Sequence, residues 1–123
     1  MEFRFLGKKT NQPSKTLDTF PTPTNISIVK FESNELTSFC PITGQPDFSN
    51  LILEFSPDQL CIESKSLKLY LWSFREQAIF AEGLANLIAD DVFEAIHPHW
   101  CKITIVQNVR GGIQLTAFAE KKK

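Results

Sequence analysis

Two rhythms of apolar and polar residues divide this chain. A period of two marks residues 25–33 (NISIVKFES), where Ile26 and Ile28 alternate with Val29 and Phe31, and residues 50–57 (NLILEFSP), where Leu51, Leu53 and Phe55 share one side. Such alternation predicts strands with one face inward. A helical period follows. From Glu63 to Arg75, Leu67, Tyr70, Leu71 and Phe74 form an inner face, and from about Glu76 to Ile96 the stripe is Phe80, Leu84, Leu87, Ile88, Val92 and Ile96. His97-Pro98 should end this second helix, because proline disfavours helix in the residue before it. Alternation returns in CKITIVQN and GIQLTAFAE, either side of Val109-Arg110-Gly111-Gly112, whose paired glycines suit a tight hairpin.

The predicted order is therefore β-β-α-α-β-β. This is an α+β class with a four-stranded antiparallel sheet carrying both helices on one face. Residues 7–24 are polar and proline-containing, so residues 1–23 are expected to form an extended or mobile N-terminal arm before one domain at 24–123. A small sheet with open edges invites pairing with other copies.

Composition narrows the function. The chain has 123 residues, enough for one core, and a formal net charge of -1, which disfavours a general grip on nucleic acid or anionic membrane. No apolar run approaches a membrane span and no long apolar leader opens the chain, so a cytoplasmic location is the default expectation. Cys40, Cys61 and Cys101 are odd in number and lack CxxC spacing, against a disulfide framework or a structural zinc site. Cys61 and Cys101 lie in strand-like apolar runs and read as packing. The two histidines of HPHWC, with no other histidine in the chain, make a poor metal set, and no metal is expected.

Cys40 differs. It sits in SFCPITGQPDF, where Pro41, Gly44 and Pro46 fix the path to Asp47. A thiol and an acid without a histidine base suit an electrophile that needs thiol addition and a proton on a heteroatom; a capped turn around a buried cysteine is the plainer alternative. Lys65, Lys68 and Arg75 form a basic stripe with Trp72, suited to phosphates or merely to solvent. Arg110 in its glycine turn presents the same choice. Glu63 and Glu82 match adjacent N–H donors of a flat, nitrogen-rich ligand, or are surface carboxylates. No GxGxxG lies between a strand and a helix, so a Rossmann-type dinucleotide site is absent.

FCPITGQPDF, ESKSLKLYLWSFR and RGGI together resemble the signature segments of QueF, the NADPH-dependent 7-cyano-7-deazaguanine reductases of queuosine biosynthesis, a tRNA modification pathway. The likeness runs in order from about Thr19 to Glu120. It implies the tunnelling fold, a β-β-α-α-β-β unit that assembles into barrels, here a homo-oligomer of two stacked pentamers with sites between subunits. It also implies a small-molecule partner, 7-cyano-7-deazaguanine, with no nucleic acid or membrane bound. On the resemblance, Cys40 is the nucleophile that forms a covalent thioimidate and Asp47 the proton donor. Ile62, Glu63, Ser64, Ala81 and Glu82 fall at substrate-binding positions, and Lys65, Lys68, Arg110 and Gly111 at NADPH-binding positions.

One departure stands out. The family usually has His-Glu where this chain has Ala81-Glu82, which implies reduced activity. Two other readings compete. A QueF-like amidinotransferase uses the same cysteine on the same nitrile but lacks the reductase motif that is intact at 63–70. A non-catalytic purine- or pterin-binding oligomer would keep the fold without needing Cys40 and Asp47.

Overall fold

The computed structural model describes residues 3, 4, 6 and 12–123. Its elements in order are β1 (Thr19–Pro21), β2 (Val29–Phe39), β3 (Pro46–Ser56), β4 (Leu60–Ile62), α1 (Ser64–Trp72), α2 (Ala81–Ile96), β5 (Trp100–Gln107) and β6 (Thr116–Lys122). The main sheet is antiparallel in the order β2-β3-β5-β6. The short strands β1 and β4 form a separate antiparallel pair, an addition to the expected β-β-α-α-β-β order.

The pleat of β3 builds the core. Leu51, Leu53 and Phe55 face Ile105, Ile103 and Cys101 across the β3–β5 ladder, and all six are buried. Leu67, Tyr70, Leu71 and Phe74 from the α1 region, with Leu84, Ile88, Val92 and Ile96 from α2, cover the same face. Both helices thus lie on one side of the sheet, as the periodicity predicted. Cys61 and Cys101 are buried, in keeping with packing roles.

Several boundaries differ from expectation. Strand β2 begins at Val29 rather than Asn25 because its partner stops: Val29 pairs with Phe55, β3 ends at Ser56, and Pro57 has no N–H to continue a ladder. Ile26 and Ile28 are consequently exposed. At its other end β2 runs on through polar residues to Phe39, with a register shift between Ser33 and Leu36. This bulge absorbs extra chain and returns Leu36 and Ser38 to the buried face. The long connection expected between the first two strands therefore shrinks to Cys40–Gln45.

Helix α1 begins one residue after Glu63, its N-cap, and ends at Trp72. Helix α2 begins at Ala81, later than Glu76, because the intervening chain serves the sheet: Phe39 N donates to Gln77 O (2.9 Å) and Ile79 N to Phe39 O (3.1 Å). Phe80 becomes the exposed N-cap of α2 and leaves the apolar stripe. His97 closes α2 in the left-handed region, and its backbone N–H donates to Phe93 O.

The expected arm, residues 1–23, falls partly outside the described residues. Its described end is anchored. Asp18 is buried, its N–H donates to Ser66 Oγ (2.8 Å), and its carboxylate accepts from Arg4 N (2.7 Å) and Arg4 Nη1 (3.0 Å). Ser66 Oγ in turn donates to Glu63 O (2.8 Å), so one buried hydroxyl ties this segment to the first turn of α1. Ser66→Ala should cost about 1–3 kcal/mol, because it strands the Asp18 N–H in a buried place. Denaturant unfolding should show the loss, and amide exchange should show lower protection at Asp18 than at residues of β3.

Candidate functional site

Cys40 sits where β2 ends, and the turn after it is closed by its own hydrogen bonds. Cys40 N donates to Gln45 O (2.9 Å), Gly44 N to Cys40 O (2.9 Å), and Gln45 N to Thr43 Oγ1 (3.2 Å). Gly44 has φ +71°, a conformation that glycine adopts without strain. The thiol is partly exposed. The Thr43 hydroxyl, then the backbone groups of Thr43 and Ile42, hold it below the ordinary thiol range, against burial and the nearby Asp47 charge. Burial instead pushes the Cys101 thiol up to about 11. Of the three cysteines, Cys40 combines access with a stabilised thiolate. Thr43 was not among the expected site residues; its signal was a hydroxyl three positions after the cysteine, within reach across a turn.

Asp47 lies opposite Ser38 on the β2–β3 ladder, with its side chain on the buried face. Its Oδ1 accepts from Arg110 Nη1 in a close ion pair. Arg110 Nη2 donates to Gln45 Oε1 (2.7 Å) and Nη1 also approaches Pro46 O (3.4 Å). Arg110 projects from the β5–β6 turn, where it forms a bridge with Ile113 and where Gly111 and Gly112 take φ +60° and +78°. The structure thus joins two residues 63 positions apart that the resemblance assigned to different tasks.

Beside the cysteine turn, the Phe39–Gln77–Ile79 hydrogen bonds bring up the start of α2. A cleft of about 490 Å³ is lined there by Pro41, Ala78, Ile79, Phe80, Glu82 and Gly83. Glu82 is exposed in the first turn of α2, while Ala81 is buried. A second depression, about 800 Å³, runs between β2 and α1 and is lined by Ser64, Lys68, Trp72 and Arg75 facing Thr37 and the β2 bulge. The Arg75 guanidinium lies 5.5 Å from the Trp72 ring centroid. These two depressions share no lining residue.

Ile62 and Glu63 are buried at the junction of β4 and α1, and Ser64 is exposed. The Glu63 carboxylate is engaged within the chain: Oε2 accepts from Lys65 N (2.6 Å) and Oε1 from Ser66 N (2.9 Å). It is a helix cap before it is anything else. Among the described residues, no group of three or more His, Cys, Asp or Glu could hold a metal ion, and no helix is long and apolar enough to cross a membrane.

Removing the Thr43 hydroxyl takes away the leading stabiliser of the Cys40 thiolate, so Thr43→Val should raise the thiol's titration midpoint. Iodoacetamide alkylation followed by mass spectrometry reports this cleanly, because Cys61 and Cys101 are buried. The variant should react more slowly near pH 7 and match the parent once pH exceeds both midpoints.

Comparison with known proteins places the chain in a family. The family model described as "QueF-like protein" matches residues 46–123. A protein of Syntrophus aciditrophicus named "NADPH-dependent 7-cyano-7-deazaguanine reductase" is 50% identical over 96% of this chain and 85% of its own length. One of the same name from Alkalilimnicola ehrlichii is 47% identical over 91% of this chain and 88% of its own. The crystal structure of an archaeosine synthase QueF-Like in the apo form superposes with TM-score 0.76 at 24% identity, covering 81% of this chain and 98% of that one, a likeness in fold. This chain belongs to the QueF-like protein family.

Proposed function

We propose that the protein reduces 7-cyano-7-deazaguanine to its aminomethyl product with NADPH. The observation that carries this reading is the Cys40 thiol, partly exposed and stabilised as thiolate, held by a short hydrogen-bonded turn next to the buried carboxyl of Asp47. Relatives about half identical and named for this reaction support it.

In this reading Cys40 Sγ adds to the nitrile carbon. A C–S bond forms, one C–N π bond breaks, and Asp47 gives a proton to nitrogen, leaving a thioimidate. NADPH supplies two hydrides in turn, which with two protons convert C≡N to CH2NH2 while Cys40 departs between them. The protein's share is orientation: a nitrile is a poor hydride acceptor, and a fixed thiol and acid on either side of it can account for several kcal/mol.

Glu82 reads the N–H donors of the heterocycle from the cleft beside Pro41, next to Ala81, and Ile62, Glu63 and Ser64 supply a second wall. Glu63 acts through the cap that sets this segment, since its two oxygens are already engaged. Lys65, Lys68, Arg110 and Gly111 take the cofactor. In the groove between β2 and α1, Lys68 and Arg75 offer cations for phosphates and Trp72 a stacking surface, while Glu32 and Glu35 line the opposite wall. Residues 24–123 form the catalytic unit, and the preceding segment is an arm anchored through Asp18 and β1.

The same reading puts the sites between copies. Glu82 and Ser64, both assigned to the substrate, line separate depressions on one chain, β2 and β6 are open edges, and Phe48 and Phe118 are exposed. We assign a ring homo-oligomer, two stacked pentamers, which native mass spectrometry would count.

Purified protein mixed with 7-cyano-7-deazaguanine and NADPH should oxidise about two NADPH per aminomethyl product. Cys40→Ala should abolish both turnover and the covalent adduct. An adduct without NADPH oxidation would instead favour the amidinotransferase reading, and tight binding without any adduct the purely binding one. Ala81→His should raise turnover by roughly 10² if the usual acid–base group is what this chain lacks. Because Ala81 is buried, that variant should also lose about 1–3 kcal/mol of stability from overpacking.

A further inference from the structure

Resting on the reading above, we propose that Arg75 recognises the 2′-phosphate of NADPH and so sets a preference for NADPH over NADH.

Arg75 stands three positions after Trp72, just beyond the end of α1. Its backbone is held there: Arg75 N donates to Trp72 O (3.1 Å), and the preceding Phe74 is fully buried. The side chain is exposed and lines the groove between β2 and α1, with the guanidinium 5.5 Å from the Trp72 ring centroid. None of the ion pairs among the described residues involves Arg75 or Lys68, the other cation of this groove. The acids stand across from them. Glu32 is paired with Lys30 (3.3 Å), and Glu35 lies at the β2 bulge. An anion entering the groove is therefore directed to the α1 wall.

NADPH carries two anionic groups with a ribose between them, the pyrophosphate and the 2′-phosphate. Lys68 and Arg75 are seven positions apart, roughly two helical turns or about 10 Å along the axis, so each can serve one group. Chemistry decides which. The 2′-phosphate is a monoester with close to two charges at neutral pH and three terminal oxygens. A planar guanidinium meets such oxygens through two parallel N–H donors, whereas the ammonium of Lys68 offers a point charge suited to the pyrophosphate. Adenine, carried on the same ribose as the 2′-phosphate, needs a flat surface close to that guanidinium, and Trp72 beside Arg75 supplies it. An arginine next to the adenosine ribose accepts the 2′-phosphate in dinucleotide sites of other architecture as well. The order along the wall is consistent. With adenosine at Arg75 and Trp72 and the pyrophosphate at Lys68, the nicotinamide end runs toward Ser64, a substrate position in the reading above.

The test compares nucleotide affinities of the intact protein and its variants by calorimetry, without nitrile. Adenosine 2′,5′-bisphosphate and 5′-AMP are the probes, because they differ only in the 2′-phosphate. NADPH and NADH repeat the comparison by fluorescence titration. Arg75→Leu should weaken the bisphosphate and NADPH at least tenfold and leave 5′-AMP and NADH within about twofold. Arg75→Lys, which keeps the charge without the fork, should recover only part of the loss. Because the side chain is exposed, both variants should melt with the unaltered protein. Equal weakening of both members of each pair by Arg75→Leu would overturn the inference, since the guanidinium would then act as a general charge. Unchanged affinities would overturn it too, and in either case NADPH binding by the unaltered protein leaves the reductase reading standing. If the unaltered protein binds neither NADPH nor the bisphosphate, the reductase reading fails first and the inference with it.

Discussion

The register of β3 is the constraint on which the rest depends. Along this strand Asp47, Ser49, Leu51, Leu53 and Phe55 are the buried positions, so one pleat carries the acid and the core together. A slip by one residue would expose three large apolar side chains and turn Asp47 outward at the same moment. The strong hydrophobic preference of Leu51, Leu53 and Phe55 therefore fixes the position of a carboxylate four residues before Leu51. Function at one end of the strand draws on packing at the other. The bulge in β2 belongs to the same constraint, because it restores pairing far enough along for Cys40 to emerge level with the Asp47 end of β3.

A second tie brings the helices to that end. The backbone of Phe39 exchanges two hydrogen bonds with Gln77 and Ile79, which holds the connection between α1 and α2 against the last residue before the cysteine turn. Backbone groups make this tie, and its geometry is indifferent to the identity of the side chains. It explains why α2 begins as late as Ala81 and why Glu82 shares a cleft with Pro41. Glu63 does the equivalent for α1: its cap sets where the helix starts, and hence where Ser64 and Lys68 stand.

The sequence was informative where periodicity governs and silent where polar contacts do. The buried stripes of Leu67, Tyr70, Leu71 and Phe74, and of Leu84, Ile88, Val92 and Ile96, could be read directly because helical spacing and burial agree there. The ends were harder. Ile26 and Ile28 alternate properly yet have no partner, since the neighbouring strand stops at Ser56-Pro57, and a single segment's pattern does not report its neighbour's length. Strand β2 was read too short at its other end because SNELTS is polar and its continuation depends on a bulge. Strand β1, with a proline at Pro21, exists through pairing with β4 rather than through its own propensity. At the site, the special character of Cys40 followed from its turn residues and a recognisable family pattern. The Asp47–Arg110 pair had no local signal, and only the fold brings those positions together.

The division of the candidate site into two depressions bears on how the protein works as an assembly. One chain presents Cys40, Asp47 and Glu82 around the cysteine turn, while Lys68, Trp72 and Arg75 stand along the groove between β2 and α1. Strand β2 borders both places and is also an edge of the sheet. In the proposed ring, a neighbour's strand paired to that edge would stiffen the stretch carrying the bulge, while Gln77 and Ile79 already hold the Phe39 end. It would also set a second wall against each depression. In that proposal, subunit pairing and the placing of Cys40 would draw on the same strand. Arg110 complements this arrangement. It projects from the β5–β6 turn, at the far side of the sheet order from β2, yet reaches across to the end of β3, so the acid is held from one sheet edge while the thiol is delivered from the other.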